Sequence, residues 1–196
     1  MRKYVTFAFL FICIVSFSLI YWLWPQNDRL PILDTVNNFK INEVHGEDYQ
    51  LQNKKVKLVT FFYTHCPDIC PLTMMDFKEL QSKLKGAGVF GEEVELVAIS
   101  LDPENDTPEV IQEYANSFEA DSTGWKWLRG TPNETKQIAK ELQMQYQKLE
   151  GDFFSHSTTM YLIDQNNQIR ALYDMAFSSK PIEKDQIFED IQYLVR

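Results

Sequence analysis

The sequence predicts an α/β domain with a partly parallel sheet, preceded by one membrane-spanning helix. Three observations predict it. Residues 4–24 form a run of 21 without a charge. Residues 56–63 and 94–101 are near-continuous runs of β-branched, aromatic and other apolar residues, the pattern of strands covered on both faces. Helical patterns with start signals follow each of them, so strands alternate with helices, as in a layered α/β sandwich.

The elements follow in order. At about 1.5 Å per residue, a helix over residues 4–24 reaches roughly 30 Å, the thickness of a bilayer core. Arg2 and Lys3 precede it; Tyr21, Trp22 and Trp24 end it. Basic residues at one end and an aromatic belt at the other place the N-terminus in the cytoplasm and the rest of the chain outside. A cleaved signal peptide would need a small-residue cleavage site, which Trp-Leu-Trp-Pro-Gln-Asn does not offer. A lipoprotein signal ending at Cys13 would want a small residue where Ile12 stands, so Cys13 reads as a membrane-buried apolar residue.

Residues 25–34 are polar, carry two prolines and read as a linker. Residues 36–51 hold Phe39, Ile41 and Val44, then the turn-like His45-Gly46-Glu47-Asp48, and predict a hairpin. Residues 56–63 are a central strand and residues 71–84 a helix with Leu72, Met75, Leu80 and Leu84 at helical spacing. Residues 94–101 are a second buried strand. Thr107-Pro108-Glu109 and Thr131-Pro132-Asn133-Glu134 are helix starts, the second with the glutamate of a capping box. The helix opened by Thr131 is expected to run to about Leu149. Residues 158–163 and 169–173 form a closing hairpin, and Pro181 opens a last helix. The domains are therefore an anchor at 1–24, a linker at 25–34 and a globular domain at 35–196.

The chain carries 19 basic and 28 acidic residues, a net charge of −9. That argues against a nucleic-acid binder, which needs a basic footprint. Only Cys66 and Cys70 lie beyond the anchor. They are too few for a disulfide framework, but could form one disulfide in an oxidising compartment.

The chemistry concentrates in Tyr63-Thr64-His65-Cys66-Pro67-Asp68-Ile69-Cys70-Pro71, where a buried strand ends and a helix begins. Ligands gather at the carboxyl ends of strands in α/β sheets. A helix N-terminus favours thiolate, the form that attacks disulfides and binds metals. A four-residue spacing on a helical turn puts both sulfurs on one face, where they can share one ion or close a disulfide. Soft thiolates suit Cu(I), and an imidazole admits Cu(II) as well.

His156, in a loop before a strand, is the choice for a third ligand. His65 abuts Cys66 but follows strand residues, and His45 sits in a hairpin turn. Asp102, after the second buried strand, is a candidate to modulate the site by charge or an outer hydrogen bond. Met74 and Met75 are potential thioether ligands better explained by core packing.

At these residues the chain resembles the Sco/SenC family of copper proteins that assist cytochrome c oxidase assembly. The resemblance rests on Phe62 to Pro71, on Ser100-Leu101-Asp102-Pro103-Glu104-Asn105-Asp106-Thr107-Pro108, and on His156-Ser157-Thr158 leading into Tyr161-Leu162-Ile163-Asp164. It implies a thioredoxin-like fold with an extra N-terminal β-hairpin. It also implies copper, as Cu(I) or Cu(II), held by Cys66, Cys70 and His156, with Asp102 in the outer sphere. The implied partner is the binuclear copper centre of cytochrome c oxidase subunit two, whose cysteines the same thiols could reduce. Two other readings stay open. One is a membrane-tethered thiol-disulfide oxidoreductase without an essential metal, with Cys66 attacking and Cys70 resolving. The other is a zinc-holding module, for which two cysteines and one histidine leave the ligand set incomplete.

Overall fold

A computed structural model describes residues 2–23, 30–149 and 153–196. It divides into two compact units, residues 1–31 and 32–196. In the first, α1 (Arg2–Leu23) is one helix of 22 residues. Tyr4, Phe7, Phe11 and Phe17 on it are exposed. Among the described residues, no helix is long and apolar enough to cross a membrane. Several side chains of α1, including those of Val5, Phe9 and Leu10, lie outside that description. Residues 24–29, most of the expected linker, are also outside it.

The second unit is built on an eight-stranded sheet. Its strands are β1 (Asp34–Thr35), β2 (Lys40–Glu43), β3 (Tyr49–Gln50), β4 (Val56–Phe62), β5 (Val94–Ser100), β6 (Trp125–Arg129), β9 (Thr159–Ile163) and β10 (Gln168–Asp174). Their spatial order is β1-β10-β9-β4-β5-β6-β2-β3. β4, β5 and β6 run parallel, and the remaining neighbours are antiparallel. Every residue of β4 and β5 is buried, as their apolar runs require. β7 (Tyr146–Lys148) and β8 (Phe154–His156) form a separate two-stranded hairpin.

Side chains alternate between the two faces of the sheet. Val59, Phe61, Val97 and Ile99 join Ile138 and Ala139 of α4 (Pro132–Glu141), and Leu142 just beyond it, in one core. On the other face, Phe62 and Trp127 pack against Tyr114 of α3 (Pro108–Ser117). Trp125 packs there against Phe77 of α2 (Ile69–Gly86). α5 (Lys184–Leu194) lies beside α2 and closes the chain.

The expected hairpin is β2–β3, paired to the sheet through β6. Both helix-start signals are real. Thr107 Oγ1 accepts from Val110 N, and Thr131 and Glu134 form a reciprocal capping box.

Several expectations need correction; the last helix, for one, starts at Lys184 rather than at Pro181. α2 begins at Ile69 rather than Pro71, and Pro71 is tolerated because the first turn's N–H groups need no helical acceptor. α4 stops at Glu141 instead of reaching Leu149. Gln143 takes a left-handed φ of 52°, and Met144 N–H and Gln143 N–H donate to Ala139 and Lys140 carbonyls. That is a Schellman closure, built here without glycine. The freed residues become β7. β6 went unread because Trp-Lys-Trp-Leu-Arg is short and two of its five residues are charged, although its alternation is a strand signal. Asp34, assigned to the linker, pairs with Ile169 in β1.

Thr131→Ala removes one half of the capping box and should lower the unfolding free energy by about 1 kcal/mol. Urea unfolding of the 32–196 domain checks this; an unchanged midpoint would mean the box contributes nothing.

Candidate metal and thiol site

Cys66 lies in the loop after β4, and Cys70 is the second residue of α2. Cys70 is fully buried, Cys66 is half-buried, and both are free thiols. The first N–H groups of a helix have no internal acceptor. At α2 the N-cap residue Asp68 makes no side-chain capping bond. Its carboxylate instead accepts from the Ser178 hydroxyl at 3.1 Å. The Cys66 sulfur takes the vacant place, accepting from Cys70 N–H at 3.5 Å.

This arrangement splits the two thiols. The Cys70 thiol donates to the Cys66 sulfur, the N–H groups of Asp68 and Cys70 and the Tyr63 hydroxyl add to it, and burial opposes them. The result pulls the Cys66 thiol down to about 5. Cys70 moves the other way, well above its ordinary value, because its proton is held toward Cys66 and burial disfavours a charge. The pair is best described as one thiolate and one thiol sharing a hydrogen bond.

The cysteine loop is fastened from behind by Asp106, which is fully buried. One carboxylate oxygen accepts from Thr64 N–H at 3.1 Å and from the Thr64 hydroxyl at 2.5 Å. The other accepts from the Ser100 hydroxyl at 2.6 Å. Burial raises the Asp106 carboxyl above its usual value against these hydrogen bonds. Arg129 in turn holds the turn that carries Asp106, donating to the Pro103 and Asp106 carbonyls. Sequence reasoning passed over Asp106 in favour of Asp102. The available signal was the placement of Asp106 one residue before a helix cap, next to the loop that follows β5.

Asp102 is buried, with its carboxylate accepting from Asn105 at 2.7 Å and paired with Lys148 at 3.5 Å. Lys148 lies on β7, and its ammonium stands 5.6 Å from the Phe154 ring. Asp102 therefore faces the hairpin that carries His156.

His156 ends β8. Its Nδ1 is 2.9 Å from the Ser157 carbonyl. A carbonyl can only accept, so Nδ1 carries the proton and Nε2 keeps the lone pair in the neutral ring. The ring stands edge-on to Tyr63, with centroids 6.3 Å apart. Among the described residues, no three His, Cys, Asp or Glu side chains sit together at metal-holding range. The structure thus joins Cys66 to Cys70 and puts His156 next door, with Tyr63 bridging the two.

His65 is exposed, its ring 3.4 Å from the Thr64 hydroxyl. His45 pairs with Glu43 at 3.3 Å. Met74 is core, as expected, but Met75 is 61% exposed on α2 and is not explained by packing.

The SCO1/SenC family profile matches residues 33–194. The chain belongs to the SCO1/SenC family. Among solved structures, it is similar to a SCO1/SenC family lipoprotein from Bacillus anthracis, at 26% identity and a TM-score of 0.76, covering 86% of this chain and 99% of that one. It is similar to Arabidopsis thaliana ScoI, solved with copper bound, at 28% identity and a TM-score of 0.68, covering 81% and 99%. It is also similar to BsSco, described as having a disulfide switch and as a member of the Sco family of cytochrome c oxidase assembly proteins. That match is at 26% identity and a TM-score of 0.74, covering 87% and 98%. The thioredoxin-like α/β fold of this SCO1/SenC domain is the one these neighbours share.

In the reduced protein, Cys66 should alkylate with iodoacetamide at a rate that is level from neutral pH to 9 and falls only towards pH of about 5. The sign follows from thiolate being the reactive form. Peptide-resolved mass spectrometry reads each cysteine separately; a half-maximal rate near about 8.5, the value of a free thiol, would contradict the hydrogen-bonded thiolate.

Proposed function

We propose that this protein is a membrane-anchored copper-binding metallochaperone that serves the binuclear copper centre of cytochrome c oxidase subunit two. Cys66, Cys70 and His156 are its ligands. The observation that carries the reading is the Cys66 sulfur hydrogen-bonded at the head of α2, with His156 held on the other side of Tyr63 and its Nδ1 turned to a carbonyl, which leaves Nε2 as the donor atom. Copper-bound ScoI and the Sco family's role in oxidase assembly support it. Two soft sulfurs and one imidazole nitrogen match Cu(I) and tolerate Cu(II). The same set suits zinc less well, because structural zinc sites use four ligands.

The two sulfurs start from a favourable position. Cys66 is already charged, while Cys70 must lose a proton on binding. Capture of copper should therefore release protons and bind more tightly as pH rises. His156 must close on the sulfurs from its place on Tyr63. The β7–β8 hairpin that carries it is separate from the main sheet.

A second activity uses the same sulfurs. The half-exposed Cys66 thiolate can attack a client disulfide, forming a mixed disulfide and expelling one client thiolate. Cys70 then attacks Cys66, releasing the second client thiolate and leaving Cys66–Cys70 oxidised. Two electrons pass to the client; the Cys70 proton goes to one client thiolate, and the other is protonated from solvent. The disulfide switch described for BsSco favours keeping this reading beside copper delivery.

The anchor is α1. Its 22 residues span about 33 Å at the helical rise, and the charge-free run from Tyr4 to Trp24 matches a bilayer core. Arg2 and Lys3 place its start in the cytoplasm, with residues 32–196 outside. The Bacillus anthracis relative is a lipoprotein, another form of membrane attachment.

Anaerobic copper titration of the reduced 32–196 domain should show one tight equivalent. Cys66→Ser, Cys70→Ser and His156→Ala should each weaken it by at least about tenfold. Binding indifferent to His156, with thiol exchange intact, would favour the metal-free oxidoreductase. For the anchor, the full chain should stay in the membrane pellet through an alkaline carbonate wash; release into the supernatant would remove α1 as a spanning helix.

A further inference from the structure

We propose that Tyr63 is the positioning residue that docks the His156 hairpin beside the cysteine loop. This rests on the reading of His156 as third ligand and names what holds that ligand in place. Tyr63 directly follows β4 and is 3% exposed. Its carbonyl accepts from Cys66 N–H at 3.2 Å, which closes the turn that presents the sulfur. Its ring meets the hairpin, and its hydroxyl lies between the Phe154 N–H and the Cys66 sulfur.

Phe154 and His156 are two residues apart on β8, so they share one face of that strand. Both meet Tyr63. Phe154 lies tilted at 5.1 Å between centroids, and His156 stands edge-on at 6.3 Å with an interplanar angle of 86°. Tyr146, opposite His156 in the hairpin, packs on Phe154 from its own strand at 6.2 Å. Offset and edge-on arrangements are the attractive ones for aromatic rings. The hairpin is also tied by the Lys148–Asp102 pair, at 3.5 Å with Lys148 39% exposed, and by Tyr146 and Phe154 packing against the core. Ion pairs that open to water hold weakly. Tyr63 is the residue that couples the backbone of the sulfur loop to the strand carrying the imidazole.

The test pairs apo and copper readouts. Tyr63→Phe keeps the ring; Tyr63→Leu and Phe154→Ala each remove one side of the contact, and the Phe154 variant guards against a misfolded Tyr63→Leu. In the reduced, copper-free domain, 15N relaxation at Gln147 and Ser155 should show a loosened hairpin in Tyr63→Leu and Phe154→Ala, and less loosening in Tyr63→Phe, which keeps the ring. Copper affinity should fall about three- to tenfold in Tyr63→Leu and Phe154→Ala, and Phe154→Ala should cost nothing further when added to His156→Ala. A hairpin as ordered in Tyr63→Leu and Phe154→Ala as in the parent overturns the proposal. So does an affinity loss that persists undiminished in the His156→Ala background. If His156→Ala alone leaves copper binding unchanged, the copper reading fails, and the apo relaxation still decides the docking role.

Discussion

The hydrogen bonds that the head of α2 gives to the Cys66 sulfur are the interaction on which the site depends. A helix start has donors without acceptors, and proteins commonly satisfy one with a Ser, Thr, Asp or Asn side chain. Here Asp68 is turned to Ser178, and sulfur takes the role. A sulfur can do so fully only as thiolate. The fold therefore stabilises a charge at Cys66 and, through the shared proton, withholds one from Cys70. The four-residue spacing matters because it puts Cys66 outside the helix and Cys70 within its first turn.

Everything behind that helix start is arranged to keep it in place. The buried strands β4 and β5 end side by side, with Phe62 paired to Ser100. Asp106 then ties Ser100 to Thr64, the residue two before Cys66. The tie has an electrostatic consequence, because the Asp106 charge adds to the factors raising Cys70. One negative charge at the pair is easy and a second is not. A bound cation removes that penalty, which gives this thiol pair a physical preference for a monovalent or divalent metal over two free thiolates.

Much of this was legible in the chain. The buried runs at β4 and β5, the Thr-Pro helix starts and the strand-to-helix placement of the cysteines all appear as expected, because each rests on local chemistry. What was missed rests on contacts between distant residues. β1 has two residues and exists only by pairing with β10. β7 was read as the end of a helix, since Gln143 carries no sign that it will turn left-handed. Asp106 could not be told from Asp102 without knowing which carboxylate reaches Thr64. Met75 fits the apolar spacing of α2, yet periodicity could not say that nothing covers it.

The division between the ligands follows from the same topology. Cys66 and Cys70 belong to the junction of a fully buried strand and a long helix, so neither can move far without disturbing the core. His156 belongs to a short hairpin outside the main sheet. On the proposed reading, the sulfurs form the fixed part of the site and the imidazole the part that can arrive and leave. Oxidation and copper binding then compete directly, because a Cys66–Cys70 disulfide removes both thiolates at once. On the same reading, a histidine on a separate element would be the ligand given up to a client first, with the two sulfurs still holding the metal.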